Sequence, residues 1–81
     1  MNRMRPETMR YYDQAVSAMI AEKYGFSLLD ALRAFTSSQT HSLLQDTENG
    51  LGSFGAAGIF DIWESERVTG DPRNSIYIRG E

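Results

Sequence analysis

The apolar residues Tyr12, Ala15, Val16, Met19 and Ile20 repeat at the i, i+3, i+4, i+7, i+8 spacing of a single helix face, with Asp13, Gln14, Glu22 and Lys23 largely off it. In a chain of 81 residues this stripe constrains the fold more than any other feature. A helix that long must bury its face against whatever else the chain supplies, and little chain is left for a sheet. Pro6 suits a first helical position, Glu7 favours the positive end of the helix dipole, and Gly25 supplies a left-handed stop, so the spacing predicts a helix over 6–24.

The remaining elements follow from their boundary residues. Phe26 and Ser27 lead into LLDALRAF, where Ser27 can cap and Asp30 can reach back, predicting a second helix over 27–37 with Leu28, Leu32 and Phe35 buried. The run TSSQTHS breaks the pattern because hydroxyls compete for backbone hydrogen bonds. A short helix over 39–45, capped by Ser38 or Thr40, then carries Leu43 and Leu44. DTENGLGSFG reads as a loop, and Ala56, Ile59, Phe60 and Trp63 predict a helix over 54–68, capped by Ser53 and stopped by Gly70 and Pro72. Glu64 and Glu66 stand at the wrong end for its dipole and call for a cation such as Arg67, Arg73 or Arg79. Ile76 and Ile78 alternate with Tyr77 and Arg79, so 75–79 reads as extended. The expectation is one domain over 1–81: mainly α, a small bundle of three to four helices with a short C-terminal extended segment or strand.

The segment GLGSFG places Gly50, Gly52 and Gly55 at the G-x-G-x-x-G spacing of dinucleotide-binding turns. That motif must leave a buried strand, and the preceding LLQDTEN is polar where a Val/Ile run is required. Residues 34–66 also contain no Lys or Arg and carry Asp46, Glu48, Asp61, Glu64 and Glu66. A loop that leads into a helix is therefore expected, with no nucleotide and no cofactor, and Gly55 and Gly58 permit close backbone contact. The same charge distribution disfavours nucleic acid. A helix-turn-helix reading of the first two helices would have only Arg33 on its second helix.

Other chemistry is sparse. The chain has no cysteine, so neither a thiol nucleophile nor a thiolate zinc site exists, and the carboxylates lack the spacing of a metal site. No apolar run approaches the ~20 residues of a membrane span, and the composition suits a soluble, cytoplasmic protein. His41, the one histidine, is the candidate catalytic residue, acting on Ser38, Thr40 or Ser42 with Asp46 or a carboxylate of the last helix as its orienter.

The favoured expectation is a non-enzymatic interaction or regulatory module, with a protein partner or a homodimer. The alternative is a small hydrolase- or transferase-like enzyme using His41. The candidate interaction residues are Ile62 and Trp63, provided both are exposed, and Ile76, Tyr77, Ile78 and Arg79. A lone strand must pair with ERVT, with a second copy or with another sheet edge, or lie as an extended tail on the helices.

Overall fold

The computed structural model describes residues 4–46 and 50–71. Among the described residues there are four α-helices: α1 over Pro6–Tyr24, α2 over Leu28–Thr36, α3 over Gln39–Gln45 and α4 over Gly55–Thr69. A short 3-10 helix, Leu51–Phe54, runs directly into α4. The described residues contain no β-strand, and the extended segment expected at 75–79 lies outside them. The mainly α bundle expected from the sequence is the fold observed.

Backbone and cap chemistry set the corners. Gly25 adopts φ +72° and its N–H donates to the Ala21 carbonyl, closing α1 with the left-handed residue that glycine tolerates at low cost. Two residues later the Ser27 hydroxyl accepts from the Asp30 N–H at 3.1 Å and opens α2. The reciprocal bond from Asp30 is not made among the described residues, since aspartate is a methylene shorter than the glutamate of a full capping box. At the next corner the Ser38 hydroxyl accepts from the His41 N–H and donates to the Phe35 carbonyl, linking the end of α2 to the start of α3.

The core is a stripe of α1 (Met9, Tyr12, Val16 and Ile20) closed by Ala31 and Phe35 of α2, Leu44 of α3, Leu51, and Ala56, Ile59, Ile62 and Trp63 of α4. Three expectations are corrected. Leu28 is 63% exposed and Leu32 only half-buried, because α2 turns the small Ala31 and the large Phe35 inward and leaves its leucines at the edge. Ile62, which lies off the stripe of Ala56, Ile59, Phe60 and Trp63 expected to face the core, is fully buried while Phe60 of that stripe is half-buried, because α4 buries a wide arc rather than a narrow stripe. Ser53 does not cap α4; its hydroxyl donates back to the Gly50 carbonyl, and the 3-10 turn feeds the helix without a side-chain cap.

Candidate functional site

The glycine segment is built into the bundle. The element that runs toward it, α3, is a helix, so the described residues hold no strand-turn-helix unit at this point. Tyr12 donates its hydroxyl to the Gly52 carbonyl at 2.7 Å, Ser53 N–H donates to the Gly50 carbonyl, and Leu51 is buried. Gly50 and Gly55 have φ of +76° and +75°, so backbone conformation is what selects glycine there. The close helix approach expected at Gly55 is corrected, since a Cβ added to it would meet nothing within 4 Å.

His41 is oriented from an unexpected direction. Its Nε2 lies 2.9 Å from Asp13 Oδ1, on α1 and 28 positions away, rather than on Asp46 or a carboxylate of α4. The imidazole meets the Phe35 ring edge to face, with centroids 5.1 Å apart. The hydroxyls of Ser38 and Thr40 are used elsewhere, Ser38 on the Phe35 carbonyl and Thr40 on Glu66 at 2.7 Å. In this geometry the imidazole ties α3 to α1. Among the described residues no group of three or more His, Asp or Glu side chains comes together as a metal site.

The two carboxylates of α4 divide their work. Glu66 accepts from the Gln39 and Thr40 N–H groups at 2.9 and 2.8 Å and from the Thr40 hydroxyl, capping the start of α3 from another element. Glu64 accepts from the Lys23 ammonium and from the Tyr24 hydroxyl, the latter at 2.6 Å. The cation opposite Glu64 is thus Lys23 of α1; Arg73 and Arg79 lie outside the described residues. Burial pushes the Glu64 carboxyl up, but the hydrogen bonds from Lys23 and Tyr24 outweigh it and hold the group below its ordinary value. The bond with Glu64 raises both the Lys23 ammonium and the Tyr24 phenol. Arg67 instead lies over rings, 4.9 Å from the centroid of Tyr24, 5.4 Å from Phe26 and 5.6 Å from Trp63.

This packing removes part of the expected interaction surface. Ile62 is fully buried and Trp63 is 4% exposed, so the condition that both face solvent is not met. Trp63 stands edge to face with Tyr24, stacks with Phe60, and directs its indole N–H toward the Ala34 carbonyl. Ile76, Tyr77, Ile78 and Arg79 lie outside the described residues.

The exposed apolar surface is elsewhere. A groove of about 420 Å³ between α1 and α2 is lined by Asp13, Gln14, Ser17, Ala18, Leu28 and Leu32. Leu28 at 63% and Leu29 at 57% exposure lie at the start of α2, and Tyr11 of α1 is 58% exposed. Ser17, 1% exposed, has a hydroxyl with no hydrogen-bond partner among the described residues. The apolar spacing of the sequence puts Leu28 in the core because it marks a face without saying how wide the buried arc is. The signal that could have reversed this was the adjacent pair Leu28-Leu29 ahead of the small Ala31, since two neighbouring leucines cannot share one narrow face.

No helix among the described residues is long and apolar enough to cross a membrane. No family model, curated protein or solved structure matches the chain.

Proposed function

We propose that the chain is a non-catalytic interaction module that binds protein through the face formed by α1 and the first turn of α2. One observation carries the reading. An apolar groove lies open beside Leu28 and Leu29, two large side chains that a small domain short of core material would be expected to bury. Leaving them in water forgoes about 1.5 to 3 kcal/mol for each leucine that could be fully buried, which a partner surface would recover. The chemistry of the rest supports the same view, because His41, Glu64 and Glu66 are each engaged in holding helices together.

The test is retention of binding partners by the immobilised chain, compared with a Leu28→Asp, Leu29→Asp variant and with a copy truncated after Asn74. Acidic residues in a first helical turn favour the helix, so the double variant is expected to keep its far-UV circular dichroism. The reading expects a stoichiometric partner, either another protein or a labelled copy of the chain, held by the wild type and the truncated copy and lost by the double variant. Equal retention by the double variant, loss on truncation alone, or retention of nothing even with the labelled copy supplied at up to about 1 mM would each contradict it.

A further inference from the structure

We infer that the occupant of this face is a second copy of the chain, related by a two-fold axis that sets the two α1 helices antiparallel across one another, midway between Gln14 and Ala18; the inference rests on the interaction reading above. Arg10, Gln14, Ala18 and Glu22 follow one another at i, i+4 spacing and so form one ridge along α1. All four are exposed, and neither Arg10 nor Glu22 makes an ion pair among the described residues. Gln14 and Ala18 line the groove, which continues the ridge into the exposed Leu28 of α2. Tyr11, also exposed, stands beside the ridge, three residues from Gln14 and seven from Ala18.

Charge decides which occupant fits. The ridge is basic at its N-terminal end and acidic at its C-terminal end, with a neutral middle. An antiparallel two-fold about that middle places each Arg10 opposite the other copy's Glu22, twice over, and each Gln14 opposite an Ala18 small enough to let the helices approach. A parallel pairing would put Arg10 on Arg10 and Glu22 on Glu22. Isologous contact demands a self-complementary patch, and this ridge is one. The contact engages far fewer than the ~20 to 30 residues per side of a standard interface, so association is weak and concentration-dependent.

Sedimentation at low salt, from about 10 µM to about 1 mM, tests the pairing through charge reversal. The wild type is expected to pass from monomer to dimer across the range. Arg10→Glu alone and Glu22→Arg alone each replace two attractions with two repulsions and should weaken association about tenfold. An equimolar mixture of the two variants should restore association to within about threefold of wild type, because each heterodimer regains both attractions. Three results would overturn the inference: a wild type that stays monomeric throughout, association unaffected by either reversal, or a mixture no tighter than its components. If the wild type stays monomeric yet still binds a different protein in a Leu28-dependent way, the pairing falls and the interaction reading stands.

Discussion

Glu66 is the side chain that most clearly joins two elements. Its carboxylate takes the Gln39 and Thr40 N–H groups, first-turn donors that an α-helix of any length leaves without an internal partner, and the buried Thr40 hydroxyl. Glu66→Gln keeps the shape but loses the charge and one acceptor, and should cost about 1 to 2 kcal/mol. Thermal unfolding is expected to fall by about 4 to 8 °C for each kcal/mol lost, and an unchanged midpoint would show that the cap is dispensable. Residue-level legibility divides along sequence distance. Ser27 and Ser38 act on N–H groups three positions away and were readable as caps. Glu66 reaches 26 positions back to Thr40, and Asp13 is paired with His41 across 28, so no local pattern pointed to either.

At the scale of elements, the α1 span and the glycine stops of α1 and α4 followed from the sequence, because each rests on backbone chemistry within one turn. The buried face of α2 did not. Leu28 and Leu32 match the helical period as well as Ala31 and Phe35 do, so the period alone does not choose between the two faces, and the fold buries Ala31 and Phe35. The junction of α1 and α4 carries the pH dependence. Glu64, depressed on folding, stabilises the fold above its ordinary 4.5, and that contribution is lost as pH falls through the folded value. Lys23 and Tyr24, raised on folding, contribute below their ordinary 10.5 and 10.0 and lose it as pH rises through the raised values. Glu64→Gln is therefore expected to flatten both limbs of a plot of melting temperature against pH. Identical limbs in the two proteins would remove this junction from the account.

For the whole molecule, the large aromatic residues of α4 and the α1–α2 corner are spent on internal packing, with Arg67 laid across Tyr24, Phe26 and Trp63. The large apolar side chains exposed among the described residues are Tyr11, Leu28, Leu29 and Val68, and the first three stand near a ridge of α1 that carries Arg10 at one end and Glu22 at the other. Sequence reading expects a module that associates through Ile76, Tyr77, Ile78 and Arg79, which lie outside the described residues, and through Ile62 and Trp63 only if both are exposed, a condition that their burial removes. The most direct check of the relocated surface is a concentration series of amide spectra from the isotope-labelled chain. The account predicts that signals of residues 10–22 and 28–32 shift as the protein is concentrated, while those of 51–69 stay in place. Shifts confined to α4, or none over the whole range, would contradict it.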